Sequence, residues 1–167
     1  MQYAPPRSVW VTKQRRILRG WSDAEHEMKR PELGGGLGYI IQDGNHNTVG
    51  ACKVTAAHIA AFLPRKQQIG QLEALVPYVA MLNHPELLAG CDVLWGVDNT
   101  SAEAGLIRGY SSKADTANLI AATHIVMARR DIRAFWFHVD SESNPADGPS
   151  RDGLQDLWTM RMIEQHG

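Results

Sequence analysis

The sequence has few cysteines, no long apolar run and almost no net charge, and each shortage narrows the possible functions. Its two cysteines, Cys52 and Cys91, lie far apart and outside any metal-ligand spacing, which is typical of a reduced, intracellular protein. No apolar run approaches the roughly 18–20 residues that cross a bilayer, so we expect no membrane partner. A formal net charge of −1 argues against a stand-alone protein that holds nucleic acid by bulk positive charge.

What remains is the composition of an ordinary globular domain. The chain has 167 residues, of which 44% are hydrophobic and 21% charged, enough for one domain with a real core. The first 16 residues are basic but lack the apolar core of a secretion signal. We therefore predict an N-terminal tail or linker over residues 1–16 and a single domain over residues 17–167.

Hydrophobic patterning predicts an α/β domain. We expect three antiparallel strands first, the second and third joined by a turn at Asp43-Gly44-Asn45. The predicted strands are 17–24, 37–42, 48–54, 91–97 and 133–139, and the predicted helices are 57–63 (ended by Pro64), 69–82 (kinked at Pro77), 101–109, 114–130 and a last one from about Leu154, after a turn-rich segment. This order predicts a mixed five-stranded sheet flanked by helices.

In the segment VLWGVDNTSAEAG, a predicted buried strand ends at a charged carboxylate, Asp98. One interpretation is a cap for the following helix, because Asp, Asn, Thr and Ser side chains accept hydrogen bonds from free N–H groups at a helix start. The other is a metal ligand at the carboxyl end of a strand, where open α/β folds place their sites. The segment alone leaves both open.

Three further carboxylates fit the second interpretation. Asp23 ends the first strand, Glu73 lies on the apolar side of the 69–82 helix, and Asp147 precedes the last helix. No lysine or arginine is adjacent to Asp23 or Asp98 in sequence, so converging carboxylates would repel one another unless divalent cations bind. Taken singly, each has an ordinary explanation: a turn acid, a surface helix residue and an Asx-turn residue.

Four segments in order resemble the ribonuclease H family. SDAEHEMKRPELGGGLGYII resembles its first hairpin and RKQQIGQLEAL the helix start that carries a catalytic Glu. WGVDNTSAEAGLIRGYS and HVDSESNPADGPSR resemble its third and fourth acidic motifs, in the forms found in ribonuclease H domains of retroelement reverse transcriptases. The resemblance covers about residues 17–152 and implies a ribonuclease H-like fold.

The resemblance also implies an activity. Asp23, Glu73, Asp98 and Asp147 would be catalytic residues and ligands of two Mg²⁺ ions, with Mn²⁺ able to substitute and Asp23 bridging both. The enzyme would cut the RNA strand of RNA/DNA hybrids, leaving 5′-phosphate and 3′-hydroxyl ends. RNA contacts would come from the backbone at Ala24 and the side chains of Asn99 and Thr100, and a polymerase domain of the same polyprotein would be the partner. The alternatives are a catalytically silent connection or hybrid-binding module of the same fold, and another nuclease of the superfamily, such as an integrase or resolvase.

Two departures from the family pattern bear on product release and substrate binding. Cellular family members carry a histidine on a loop before the last acid that helps product release, whereas the nearest histidine here, His138, falls within a predicted strand, so we interpret it as structural. The basic protrusion of some family members is missing, because the 114–130 helix carries cations only at its end; Arg129, Arg130 and Arg133 suit either phosphate contacts or the helix dipole. We therefore expect weak hybrid binding by the isolated domain and a polymerase part that holds the substrate.

Overall fold

Five strands form one sheet in the computed structural model, which describes residues 14–27, 34–64 and 68–166, with side chains as far as residue 161. They are β1 (Ile17–His26), β2 (Gly35–Asp43), β3 (His46–Val54), β4 (Asp92–Val97) and β5 (Arg133–His138). The order across the sheet is β3-β2-β1-β4-β5. The β1-β2 and β2-β3 pairs are antiparallel, whereas β1-β4 and β4-β5 are parallel. The predicted mixed five-stranded sheet is confirmed.

The first strand is longer than predicted. Residues 17–22 of β1 pair with β4, but pairing with β2 continues through Glu25 and His26. Asp23 therefore lies inside β1 and not at its end, which corrects the prediction. The β2-β3 loop has two residues, since Asp43 pairs with His46, and Gly44 supplies the positive φ (+58°) that this tight turn needs.

The helices occupy both faces of the sheet. They are α1 (Ala56–Ala60), α2 (Ile69–Asn83), α3 (Pro85–Leu88), α4 (Thr100–Arg108), α5 (Ala114–Arg129), α6 (Asp147–Asp152) and α7 (Leu157–His166). α2 runs through Pro77 as one helix and buries that proline. Helix α3 was not predicted, and α1 ends at Ala60, before Pro64, because the N–H groups of Ala61 and Phe62 turn back to carbonyls three residues earlier.

The main core lies between the sheet and helices α2 and α5. Trp95 is fully buried at its centre, and its indole N–H donates to Ser22 Oγ over 3.0 Å, so the polar atom of the ring is satisfied. Gly20 on the neighbouring strand makes room for it, since a Cβ there would lie 2.7 Å from the Trp95 ring. Leu72 and Val76 of α2 and Ile120 of α5 complete this layer.

The opposite face of the sheet carries α6, in a region predicted to be only turn-rich. Pro149 is tolerated because it sits in the first turn, where its missing N–H leaves no bond unmade. The helix comes very close to β2, because Gly36 and Gly38 have no side chains: a Cβ at Gly38 would lie 2.4 Å from the Ser150 nitrogen. The last helix begins at Leu157, not near Leu154. On strands β4 and β5, three large apolar side chains are exposed: Leu94, Phe135 and Phe137.

The end of the predicted linker contacts the domain. Arg15 Nε lies 2.6 Å from Asp92 Oδ1 and Arg15 Nη1 2.6 Å from Asp131 Oδ2, while Arg16 Nη1 lies 3.3 Å from Asp43 Oδ2. Residues 1–13 of that linker lie outside the described residues, and the boundary at residue 17 stays a prediction. Among the helices of the described ranges, none has the length and apolar character to cross a membrane.

Candidate active site

Strand register brings Asp23 and Asp98 together. The parallel ladder of β1 and β4 ends with Ser22 opposite Val97, so the next residue on each strand stands where the two strands part. Those residues are Asp23 and Asp98. Two carboxylates on adjacent strands at this position face the opening at the edge of the parallel ladder, where α/β sheets commonly hold ligands.

Glu73 reaches the same place from the second turn of α2. It is 2% exposed, and its Oε1 accepts a hydrogen bond of 3.1 Å from the Ala24 N–H on β1. Its other oxygen, Oε2, is buried without a hydrogen-bond partner among the described residues. Such an oxygen is costly as a bare anion and requires a proton or a cation.

The three carboxylates form a compact group. Asp23, Glu73 and Asp98 each offer one oxygen, and these atoms lie within 4.8 Å of one another. Burial raises the pKa of Asp23 to about 7, opposed by the Ser150 hydrogen bond and reinforced by repulsion from Asp98 and Asp147. Burial, with repulsion from Asp23 and Asp98, raises the pKa of Glu73 to about 10. At neutral pH the group therefore binds protons when it has no cation.

The helix cap after β4 is Asn99, and Asp98 does not serve as the cap. The Asn99 side-chain oxygen accepts the Ala102 N–H over 2.9 Å at the start of α4. The two open interpretations of VLWGVDNTSAEAG thus apply to neighbouring residues: Asn99 caps the helix, and Asp98 joins the carboxylate group.

Asp147 lines the same cleft but stands outside the three-carboxylate group. It is the first residue of α6, and its Oδ1 accepts hydrogen bonds from Arg151, one turn later, through Nε (3.0 Å) and Nη2. The structure thus brings three of the four predicted acids together and pairs the fourth with an arginine. Asp147 still acts on the group electrostatically, because repulsion from its charge contributes to the raised pKa of Asp23.

Two polar residues of the site had no predicted role. Ser150 is 3% exposed, and its hydroxyl contacts both the Asp23 carboxylate and the Asp147 carbonyl. Buried Asn144 donates to the Ser22 carbonyl over 2.9 Å and accepts the Ala146 N–H over 3.1 Å. Together they fasten the start of α6 to β1. The signal was present in SNPADGPSR, but only a helix at 147–152 turns Ser150 toward Asp23.

The predicted RNA contacts occupy different positions. Ala24 and Asn99 line the cleft, whereas exposed Thr100 begins α4 and is not among the lining residues that the structure describes. The Ala24 N–H is used by Glu73. His138 ends β5, as expected of a strand residue, with Nδ1 3.7 Å from Glu103 Oε2. Arg133 forms a two-point pair with Asp92, so its guanidinium is engaged away from the cleft.

The donor set suits a hard divalent cation. Mg²⁺ and Mn²⁺ prefer carboxylate oxygens, and Asp23, Glu73 and Asp98 supply such oxygens at close range. A cation would satisfy the unpartnered Glu73 oxygen and remove the repulsion that raises both pKa values. The residues present therefore fit a divalent-cation site at the point where the parallel β1–β4 ladder ends.

The sheet order and helix placement define a ribonuclease H-like fold. Among solved structures, the chain is similar to RNase H1 from the halophilic archaeon Halobacterium salinarum NRC-1 (13% identity, TM-score 0.59), covering 84% of this chain and 99% of that one. It is similar to the N-terminal RNase H domain of rv2228c from Mycobacterium tuberculosis, solved as a maltose-binding-protein fusion (12%, TM-score 0.59; 90% and 99% covered). A third is LC11-RNase H1, of metagenomic origin from compost, in complex with an RNA/DNA hybrid (12%, TM-score 0.51; 77% and 88% covered). No family model and no curated protein matches the sequence.

Proposed function

We propose that this protein is a divalent-cation-dependent endonuclease that hydrolyses the RNA strand of RNA/DNA hybrids. The observation that carries the proposal is the group of Asp23, Glu73 and Asp98, with a buried, unpartnered Glu73 oxygen. A nuclease of this fold needs such a group. A catalytically silent module gains nothing from it that would offset the free energy lost by burying these carboxylates together. The similarity to RNase H structures, one of them bound to an RNA/DNA hybrid, supports the choice of substrate.

The side chains divide the work. Asp23, Glu73 and Asp98, with Asp147 once its side chain turns from Arg151, would hold two Mg²⁺ ions, for which Mn²⁺ can substitute. Such ions supply activation of the attacking water and neutralisation of charge on the leaving 3′ oxygen, which leaves 5′-phosphate and 3′-hydroxyl ends. The Ser150 hydroxyl donates to the Asp23 carboxylate and holds it in place.

Substrate contacts follow from the cleft lining. The Ala24 backbone and the Asn99 side chain lie beside the carboxylates, where the RNA 2′-hydroxyls that distinguish RNA from DNA would pass. Thr100 stands next along the chain, at the exposed start of α4. The N–H of Ala24 is engaged by Glu73, so its part in recognition falls to its carbonyl or to close packing.

We further propose that the domain works within a retroelement reverse transcriptase, beside a polymerase domain of the same polyprotein. One support is that WGVDNTSAEAGL and HVDSESNPADGPSR resemble the forms of these motifs in ribonuclease H domains of retroelement reverse transcriptases. The other is the lack of cations along α5 before Arg129. A domain with few phosphate contacts binds nucleic acid weakly, and a fused polymerase would supply the missing grip. Fusion should therefore increase hybrid cleavage, and equal activity with and without the polymerase would contradict this.

The direct test is cleavage of an RNA/DNA hybrid labelled on each strand, with Mg²⁺ or Mn²⁺, beside duplex DNA, duplex RNA and single strands. Asp98→Asn removes one carboxylate and Asp140→Asn, an exposed acid outside the cleft lining, is the matched control. We expect cutting of the RNA strand of the hybrid alone, lost in Asp98→Asn and kept in Asp140→Asn. Cutting of duplex DNA would indicate an integrase- or resolvase-like nuclease, and hybrid binding without cutting would indicate a silent module.

A further inference from the structure

The Asp147–Arg151 pair joins two charges that the proposed function needs in different places. Asp147 completes the acidic set only if its carboxylate turns toward Asp23, yet here it accepts two hydrogen bonds from Arg151. Among the cleft-lining residues that the structure describes, Arg151 is the one cation, against five carboxyl groups: Asp23, Glu25, Glu73, Asp98 and Asp147. A cleft of this charge repels a phosphate backbone until cations enter it.

The pair can separate without a change in the backbone. The Asp147 backbone is fixed, because its carbonyl contacts the buried Ser150 hydroxyl and its N–H donates to the Asn144 carbonyl over 3.2 Å. The side chains of Asp147 and Arg151 are 36% and 56% exposed. A side-chain rotation is therefore enough to separate them, and an exposed pair of this kind contributes little to stability.

Arg151 is well placed for a second partner. It stands where the cleft meets a neighbouring, larger cavity of about 500 Å³ and lines both. That cavity runs past Glu25, the glycines of β2 and Lys53, so a strand leaving the carboxylate group would pass the guanidinium. Guanidinium groups bind phosphate oxygens through two parallel N–H donors, as they bind carboxylates.

We propose that Arg151 exchanges partners: it neutralises Asp147 while the site lacks divalent cations, and it binds a backbone phosphate of the nucleic-acid substrate once Asp147 turns to a cation. This inference rests on the proposed function for its second half. It makes cation binding and substrate binding cooperative, because the ion that takes Asp147 also frees the arginine.

The test compares Arg151→Gln, Arg151→Lys and the matched control Arg108→Gln, an exposed arginine in the last turn of α4 and outside the cleft lining. Calorimetric titration of Mn²⁺ measures cation affinity. Fluorescence anisotropy measures binding of a labelled hybrid over a salt series, first in EDTA and then in Ca²⁺, with strand integrity checked on a gel. Neither measurement depends on cleavage.

The expected signature has opposite signs in the two assays. Arg151→Gln should bind Mn²⁺ about two- to fivefold more tightly, because Asp147 no longer has a competing partner. It should bind the hybrid about three- to tenfold more weakly in Ca²⁺, with a salt slope smaller by about 1 and little change in EDTA. Arg151→Lys should restore most of the hybrid affinity, and Arg108→Gln should match the wild type in both assays.

Each failure has its own form. Unchanged Mn²⁺ affinity in Arg151→Gln overturns the exchange, as does an equal loss of hybrid binding in EDTA and Ca²⁺, because Arg151 would then contact phosphate at all times. Tighter Mn²⁺ binding with unchanged hybrid binding also overturns it, because Arg151 would then serve only as the counter-ion of Asp147. A wild-type protein that binds Mn²⁺ but binds no hybrid even at the lowest salt concentration, where weak phosphate contacts are strongest, refutes the proposed function itself, and the phosphate half falls with it.

Discussion

The raised pKa values of the carboxylate group predict that the cation-free protein loses stability as pH rises. Both groups bind protons more strongly in the folded state, because the ordinary pKa values of Asp23 and Glu73 are 3.8 and 4.5 and the folded ones about 7 and about 10. Their contribution is complete below about pH 4. It is lost as pH rises through 7 for Asp23 and toward 10 for Glu73.

The magnitude follows from the burial of these groups. Asp23 is 6% exposed, so solvent screening does not reduce its shift greatly. At about 1.36 kcal/mol per pKa unit, Asp23 alone lowers the free energy of unfolding by about 2–3 kcal/mol between pH 5 and pH 8. Glu73 adds a change of the same sign. For a protein of this size that is a large part of the total stability.

The assay is urea unfolding followed by circular dichroism in EDTA at pH 5, 6, 7 and 8. The double variant Asp23→Asn/Glu73→Gln should lose most of the decline of the free energy of unfolding with pH. In the wild type, Mg²⁺ or Mn²⁺ added at pH 8 should restore the stability lost at that pH. Glu142→Gln, an exposed acid outside the cleft lining, serves as the control because it leaves the histidines and other titrating groups unchanged. An equal decline in the wild type and the double variant would refute the reasoning.

Three further predictions concern the parts that hold the site together. Gly38→Ala should lower the free energy of unfolding by about 1–3 kcal/mol and reduce hybrid cleavage, because its Cβ would lie 2.4 Å from the Ser150 nitrogen. Gly70→Ala, with nothing within 4 Å of its Cβ, should change neither. Equal losses of stability in urea unfolding of the two variants would contradict this prediction. Asn99→Ala should cost about 1 kcal/mol in the same assay through the lost cap of α4, and Asn99→Asp should recover most of it; no recovery would mean that the cap is not the cause. Mn²⁺ at about 100 times its Kd should stabilise the wild type by about 2.7 kcal/mol in thermal unfolding, and a full shift in Asp98→Asn would exclude that residue as a ligand.

The sheet and the position of three acids followed from the sequence because each rests on local patterning. Alternating and continuous apolar runs marked the five strands, and the apolar spacing of α2 placed Glu73 on its buried side. The register of β1 and β4 did the rest, since it sets Asp23 beside Asp98. The extension of β1 to His26 was missed, because it pairs with Gly35 and Gly36 of β2, and no local pattern records that pairing.

Helix α6 was missed for a different reason. Gly148, Pro149 and the flanking acids have low helix propensity, and six residues are too few to form a helix alone. The helix exists because its backbone packs on Gly36 and Gly38 and because Ser150 and Asn144 bind β1. These are contacts between distant parts of the chain. The Asp147–Arg151 spacing of four residues has meaning only once that helix is known.

The bond between Ser150 and Asp23 spans 127 positions of the sequence, and this separation determines when the cleft can form during synthesis. A ribosome that adds about 5–20 residues per second needs about 6–25 s to pass from Asp23 to Ser150. Once β2 has been made, β1 and β2 can pair, but the Asp23 carboxylate lacks its Ser150 partner until residue 150 has been added. A nascent chain that stops before residue 150 can hold much of the sheet and still have no completed site. Docking of α6 thus adds Asp147 and Arg151 to a scaffold that already carries Asp23, Glu73 and Asp98.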